Sequence, residues 1–386
     1  MQLNRVSELR CPRLVGTDGQ GSFCGGMLDI SERVISVRWN AGDKDDAIEA
    51  VVTCHTCSAD YPVIGGVLVI VPDVKGYIRE NYNGICRAVV ENVLTDQPIS
   101  RKMVEFLYEN GGRDAGITTE DAWDQNLPSV LSRYIQAHYG SMSERVESCD
   151  DLWTSFVRAK SAPGVGLYST LLSMLSEISE GRSSPSTGLA VDAGCSVGKM
   201  AYELAADFDF TYGVDLSFGA VMSARRIIRH SPTPQTNYRL MTDAGRWSES
   251  IPINVEPRRN VEFLVASATA LPLDSRSIDC LSSINLIDVL PQPEDLFKEA
   301  ARVLGEEKFF ILADPYCWRD TSGERVRRHG AASSDYVGEN LLKYGFTITR
   351  HEHSIPWLLR LHDRSWDVYL CDCFGAVKSP SDRRTV

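Results

Sequence analysis

From residue 188 onward, short apolar runs alternate with stretches in which apolar residues recur every three or four positions. The runs predict strands at Gly188 to Ala193, Thr211 to Asp215, Val261 to Ala266, Ile278 to Asn285, Phe309 to Asp314, Phe346 to His351 and Asp367 to Ala376. The amphipathic stretches predict helices over Lys199 to Phe208, Ala220 to His230, Glu294 to Leu304 and Asp335 to Tyr344. Strand and helix in alternation imply an α/β fold, a mainly parallel, doubly wound sheet with helices on both faces. A ligand of such a sheet binds outside the carboxyl ends of the strands, near the point where strand order reverses.

The first half of the chain has a different texture. Residues 1 to 74 show short β-favouring stretches (Val34 to Trp39, Ala50 to Thr53, Gly66 to Val71) between Gly- and Asp-rich turns, which predicts a small β-rich module. Residues 75 to 187 turn helical, as at Ile85 to Leu94, Arg101 to Tyr108 and Pro128 to His138, and read as a cap or connector. The Gly-, Ser- and Pro-rich stretch Glu180 to Gly188 reads as a linker, so the third unit spans residues 188 to 386.

Composition narrows the function classes. At 386 residues the chain exceeds a single typical domain, and 43% hydrophobic with 24% charged residues is ordinary for a globular protein. No apolar run approaches the roughly 20 residues that span a bilayer, and the N-terminus lacks a secretory pattern, so a cytoplasmic location without a membrane anchor is expected. Eleven cysteines, seven of them scattered through helix and strand patterns, suit a reducing compartment. The formal charge of -12 repels phosphate backbones, which disfavours nucleic acid as a partner. Arg225, Arg226 and Arg229 make one small basic run, read as a solvated helix face.

The first strand of the third unit ends in Asp192-Ala-Gly194-Cys195-Ser196-Val-Gly198 and runs directly into a helix. Both glycines fall where backbone must approach a ligand closely. Asp215 follows 23 residues after Asp192 at the end of the second strand, where a ribose diol would lie. A phosphate-cradling turn calls for Gly-x-Gly-x-x-Gly, yet Cys195 and Ser196 stand between Gly194 and Gly198. Asp192 adds an acid that would repel pyrophosphate and attract a cationic ligand. S-adenosylmethionine (SAM), which carries an ammonium and a sulfonium and no phosphate, satisfies that charge pattern.

With Gly213-Val-Asp215-Leu216-Ser and Ala268-Thr-Ala-Leu-Pro-Leu273 in the same order and spacing, residues 188 to 378 resemble the class I SAM-dependent methyltransferases. The resemblance implies a Rossmann-like seven-stranded methyltransferase sheet. It also implies that Asp215 and its neighbour Leu216 hold the ribose end and that the backbone of Asp192, Gly194, Cys195, Ser196 and Gly198 packs on methionine and ribose. The family's third motif has Asp before Ala268, where this chain has Ser267, so the adenine contact departs from the pattern.

More narrowly, Ser283-Ile-Asn285-Leu-Ile-Asp288-Val-Leu, Ala313-Asp314-Pro-Tyr316-Cys-Trp318 and Ile355-Pro-Trp357-Leu-Leu-Arg360 are similar to the methyltransferase domain of ovothiol-synthesis enzymes, and the polar insertion Ser231 to Asn260 falls where that group has one. That group methylates an imidazole nitrogen of a thiol-bearing histidine, which implies a small methyl acceptor bearing a heteroatom. Asn285 and Asp288 follow the strand beside the SAM methyl in this fold, and Asn285 serves both cofactor and acceptor. Asp288 reads as the base or as a helix cap. Tyr316 and Trp318 read as acceptor-pocket wall or as packing, and Trp357 and Arg360 as site residues or as core and surface. His351 and His353 share a strand face, as a general base or as solvated side chains.

In the first unit, Cys54-His-Thr-Cys57 followed by Tyr61-Pro-Val-Ile-Gly-Gly-Val resembles half of the zinc ribbon of small tRNA-methyltransferase activators, a ribbon also fused ahead of other methyltransferase domains. The usual Cys-Pro-x-Cys is broken here, because Leu14 follows Cys11-Pro12-Arg13. Cys24 supplies a fourth thiolate beside Cys11, Cys54 and Cys57, so the module either holds a structural zinc or is a metal-free relic. The leading expectation is methyl transfer from SAM to nitrogen, sulfur or oxygen of a small metabolite. An RNA methyltransferase and a catalytically silent SAM-fold partner protein remain as alternatives.

Overall fold

The computed structural model describes residues 1–15, 22–31, 36–40, 43–91, 99–115, 128–140, 166–180, 188–229, 237–242, 246–253, 255–319, 323–324, 326–327, 330–362 and 365–380. Most of the linker, part of the polar insertion before the third strand of the catalytic unit, Val34 and Cys149 lie outside the described residues. The strands are β1 (Leu14–Val15), β2 (Ser22–Phe23), β3 (Leu28–Ile30), β4 (Arg38–Asn40), β5 (Asp43–Cys54), β6 (Asp60–Ile64), β7 (Val67–Val69), β8 (Leu189–Ala193), β9 (Phe210–Asp215), β10 (Asn237–Tyr238), β11 (Ile251–Pro252), β12 (Val261–Val265), β13 (Ile278–Ile284), β14 (Leu304–Asp314), β15 (Phe346–His362) and β16 (Ser365–Lys378). The α-helices are α1 (Val74–Glu91), α2 (Arg101–Glu109), α3 (Pro128–Tyr139), α4 (Leu167–Ser179), α5 (Lys199–Leu204), α6 (Phe218–Arg229), α7 (Glu294–Val303) and α8 (Ser333–Lys343). No described helix is long and apolar enough to cross a membrane.

The seven strands predicted after residue 188 form the sheet β12-β9-β8-β13-β14-β16-β15, with β12 through β14 parallel and β16 and β15 antiparallel. This is a doubly wound, Rossmann-like sheet of seven strands, as expected from the sequence. Strand order reverses between β8 and β13, so the crevice opens at their carboxyl ends. β9 and β12 are buried along nearly their whole length, polar Thr211 and Glu262 included, because they lie inside the sheet with helices over it. α7 and α8 pack on one face together with the N-terminal turn Leu3–Glu8. α1, α2 and α6 contribute to a core on the other face, which α4 and α5 continue toward β14 and β16.

The β-rich N-terminal region is present, and it continues the catalytic sheet. β7 pairs in parallel with β12, Leu68 opposite Leu264 and Val69 opposite Val265, and β6, β5 and β3 extend the ladder outward to twelve strands with β4 on β5. The edge that β12 would present to solvent is thereby closed. Beneath the junction, Arg225 of α6 is buried between Asp46 of β5 and Glu262 of β12 and pairs with both. The solvated-face reading of the arginine run is therefore corrected at Arg225. Apolar neighbours place the helix face inward, and two carboxylates from other strands supply the partners that an isolated helix lacks.

β15 extends eleven residues beyond the predicted end at His351, to His362. Its polar residues alternate over a partly exposed face, which hides the strand from an apolar-run criterion. α5 ends at Leu204 and leaves the predicted Phe208 in the following turn.

Candidate active site

Gly194 and Gly198 have φ of 80° and 87°, left-handed values that favour glycine. A Cβ on Gly198 would stand 2.7 Å from the Phe263 ring and 2.9 Å from Ala224 Cβ, so this glycine also sets how closely the turn seats on the sheet. The turn opens onto a cavity of about 480 Å³ at the carboxyl ends of β8, β9 and β13. Asp192, Gly194, Cys195, Ser196, Asp215, Leu216, Ser267, Ala268, Asn285 and Asp288 all line it, whereas Gly198 supports the turn from outside the lining.

Asp215 faces the first turn across the crevice. Its Oδ2 accepts from the Ser196 N–H (2.9 Å) and its Oδ1 from the Ser217 N–H (2.8 Å). Burial pushes its carboxyl up, and the backbone donors oppose that shift. Each oxygen retains lone-pair capacity for a ligand hydroxyl. Leu216 is 51% exposed while its carbonyl accepts from Tyr77 Oη (2.7 Å), so its side chain offers an apolar plate over the cavity. Where the third motif of the resembled family has an acid, Ser267 Oγ lies 3.0 Å from Thr269 Oγ1 and accepts from the Thr269 N–H.

Asp192 is committed inward as well as lining the cavity. Its Oδ1 accepts from Ser282 Oγ (2.7 Å) and its Oδ2 from the Ala201 N–H of α5 (3.1 Å). Burial pushes its pKa up to about 7 against these hydrogen bonds. The folded state then holds a proton that the unfolded chain releases near 3.8, so this group's stabilising contribution is full at low pH and is lost as pH rises through about 7. Asp192→Asn is expected to flatten the fall in thermal stability of the ligand-free protein between pH 4 and 7. Identical pH dependence in parent and variant would contradict it.

The opposite wall begins at Asn285, whose φ of 51° follows the end of β13 and whose Oδ1 accepts from the Cys371 thiol (3.5 Å). Asp288 sits in the short turn Ile287–Val289, and its Oδ2 accepts from the Cys317 N–H (2.8 Å). The following helix α7 is preceded by Pro293 with no side-chain cap, so Asp288 is not its N-cap. Behind Asp288, Asp314 at the end of β14 accepts from the N–H groups of Ile287 and Tyr316. Burial pushes Asp288 up, and burial together with Asp288 pushes Asp314 well above the carboxylate range. Tyr316 is turned away from the cavity and stacks on Trp318 (centroids 5.8 Å apart, planes at 8°), while Pro315, Cys317 and Arg319 of the same loop reach the lining.

Side chains from the helical connector and from the β15–β16 hairpin complete the cavity. Tyr134 and His138, one helical turn apart on α3, line it with Tyr168 of α4, whose hydroxyl is 3.2 Å from His138 Nε2. Trp357 stacks on Tyr134 (6.4 Å, 29°) and packs against Tyr369 (5.3 Å), and both lining aromatics come from the hairpin. Arg360 lies over Trp366, outside the lining. Sequence reading missed Tyr134, His138, Tyr168, Arg319 and Tyr369. A clue was the aromatic spacing on α3, which is equally the spacing of a buried helix face.

In the N-terminal region, the sulfurs of Cys11, Cys24, Cys54 and Cys57 all lie within 4.8 Å of one another. Cys11 to Cys57 is 3.5 Å and Cys24 to Cys54 is 3.7 Å. The Thr56 N–H points at Cys54 Sγ (3.4 Å). Thiolates about 2.3 Å from a tetrahedral zinc lie about 3.8 Å apart, so the four sulfurs fit that ion.

Comparison with known proteins bears on the class. Residues 191–312 match the family described as methyltransferase domain. The chain therefore carries a methyltransferase domain over those residues. No curated protein sequence matches it. Among solved structures it is similar to the YcgJ protein of Bacillus subtilis (14% identity, 55% of this chain and 99% of that one, TM-score 0.36). It is also similar to magnesium protoporphyrin IX methyltransferase of Synechocystis with bound SAM (15%, 68% and 100%, TM-score 0.37). A third similarity is to a chain in the complex of the Haloferax volcanii Trm112 methyltransferase activator with a methyltransferase (15%, 59% and 96%, TM-score 0.37).

Proposed function

We propose that this enzyme transfers the SAM methyl group to a nitrogen, sulfur or oxygen of a small metabolite held between Asp288 and the aromatic wall. The carrying observation is that one cavity joins two kinds of lining. Backbone turns after β8 and β9 with Asp215 offer the polar groups a cofactor needs, and Tyr134, Tyr168, Trp357 and Tyr369 join Asn285 and Asp288 in the same lining. Such a wall binds a planar or cationic acceptor through its ring faces and excludes water from the transfer. The similarity to ovothiol-synthesis methyltransferase domains favours an imidazole-type nitrogen within that class. Catalysis on this reading is mainly positioning of acceptor and sulfonium in line, with Asp288 accepting any proton the acceptor must lose.

Asp215→Ala tests the cofactor half. Two charge-assisted hydrogen bonds to the ribose hydroxyls contribute about 3 kcal/mol together, so SAM affinity by calorimetry should fall about 100-fold. Unchanged affinity would remove Asp215 from the pocket. For the acceptor half, the protein is incubated with methyl-labelled SAM and a small-molecule extract, and in parallel with total RNA. Label in the small-molecule fraction supports the proposal, and label confined to RNA overturns it.

The four cysteines, on the same reading, hold a structural zinc that ties the segments flanking β1 and β2, at Cys11 and Cys24, to the end of β5 and the turn after it. The ion would supply no chemistry, since four thiolates leave no open position. Cys57→Ser is expected to lower bound zinc by one equivalent by elemental analysis and to lower the thermal midpoint. Equal zinc in parent and variant would favour the metal-free ribbon.

A further inference from the structure

The two histidines of β15 converge with a carboxylate from the neighbouring strand. His351 and His353 alternate onto one face, their rings 3.9 Å apart, and Asp372 of β16 approaches both of them. His351 Nε2 is 3.7 Å from Asp372 Oδ2, and His353 Nδ1 is 3.2 Å from Asp372 Oδ1. All three donor atoms fall within 4.8 Å of one another. Donors about 2.0–2.1 Å from a tetrahedral zinc lie about 3.4 Å apart, which these separations bracket.

The surroundings hold the donors in place. Phe374 stacks under His351 (3.8 Å, 20°), and Ser334 at the start of α8 lies with its Oγ 3.3 Å from His351 Nε2, a contact that the bound ion would replace. A register shift in β15 between Glu352 and Ile355, with Ser354 at φ 57°, interrupts the ladder beside His353 before it resumes at Ile355. His353 is 63% exposed, which leaves solvent access for a fourth ligand. None of the three residues lines the methyl-transfer cavity, and Cys371, the residue before Asp372, points the other way toward Asn285.

We propose that His351, His353 and Asp372 form a second metal site, for a zinc-type divalent cation, separate from the cysteine cluster and from the methyl-transfer cavity. Two imidazoles and one carboxylate are the donor set that borderline divalent ions prefer, with water completing the tetrahedron. The ion ties β15 to β16 in the hairpin that carries Trp357, Leu359 and Tyr369 into the acceptor wall. Its effect is to stiffen that wall, with no group transferred or oxidised at the metal.

The test uses the full-length protein equilibrated with micromolar free zinc at neutral pH, desalted, and assayed for bound zinc by elemental analysis. His353→Ala and Asp372→Asn should each bind one equivalent less than the parent. His362→Ala, which removes a histidine outside the cluster, should bind the parental amount. The difference of one equivalent stands whether or not the cysteine set holds its own ion. Zinc content equal to the parent in both cluster variants overturns the site, as does the same loss in His362→Ala. Because His353 is exposed, its removal should leave the circular dichroism spectrum unchanged, so a lost equivalent reports the ligand and not the fold.

Discussion

Asp288→Asn is expected to leave SAM affinity within about twofold of the parent and to lower turnover by about 10²- to 10⁴-fold, the usual range for removing a general base. Asp288 holds the loop carrying Cys317 through a backbone N–H and lines the cavity from the turn after β13, whereas Asp215 ends β9, with β8 between those two strands. Asparagine keeps an acceptor for that N–H, so the loop should stay in place while proton acceptance is lost. Burial raises both Asp288 and its neighbour Asp314, so the deprotonated base forms only above the ordinary carboxylate range. Parental turnover should therefore rise with pH through that elevated value, and the variant should lose this limb. Calorimetry with SAM and single-turnover transfer to the identified acceptor are the measurements. A variant that loses SAM affinity but turns over normally once saturated would place Asp288 on the cofactor side instead.

Arg225→Ala is expected to cost about 3 to 5 kcal/mol of stability, the usual range for breaking a buried ion pair from one side. The guanidinium is 1% exposed and its two partners are as deeply buried. Burial pushes Asp46 and Glu262 up, yet Arg225 holds both below the ordinary carboxylate range. Without it, Glu262 is left buried without its guanidinium and Asp46 keeps the Met1 ammonium (2.8 Å), so the pair must take up protons or open the β7–β12 junction. Those depressed groups contribute stability above the unfolded carboxylate pKa that is lost as pH falls through their folded values, so the parent's acid limb should shrink in the variant. Denaturant unfolding gives the magnitude. Adding Asp46→Asn and Glu262→Gln to Arg225→Met should recover much of the loss, because neutral groups remove the uncompensated charge. A single variant as stable as the parent would show that the junction holds by apolar packing alone.

The parallel sheet was legible because burial on both faces makes its strands predominantly apolar, even where a single buried polar residue such as Glu262 interrupts the run. The first turn and Asp215 were legible because a close backbone approach demands glycine and a diol demands a carboxylate, constraints that are local in the chain. β15 was only half visible, since its polar, partly exposed residues carry little apolar signal. Tyr134, His138 and Tyr168 were not legible as site residues. Their spacing is that of any helix packed on a core, and only packing shows which faces meet a cavity.

By itself, then, the sequence determined the order of strands and helices after residue 188, the glycine turn, the carboxylate opposite it and the four cysteines of the N-terminal region. Each follows from periodicity or from backbone constraints acting over a few residues. Tertiary structure alone decided that β7 closes the edge of β12, that Arg225 is buried between two acids, that Tyr316 turns out of the cavity and that two histidines meet Asp372. These are contacts between residues remote in the chain or choices of side-chain direction, and their energies depend on what the fold brings within a few ångströms and removes from water.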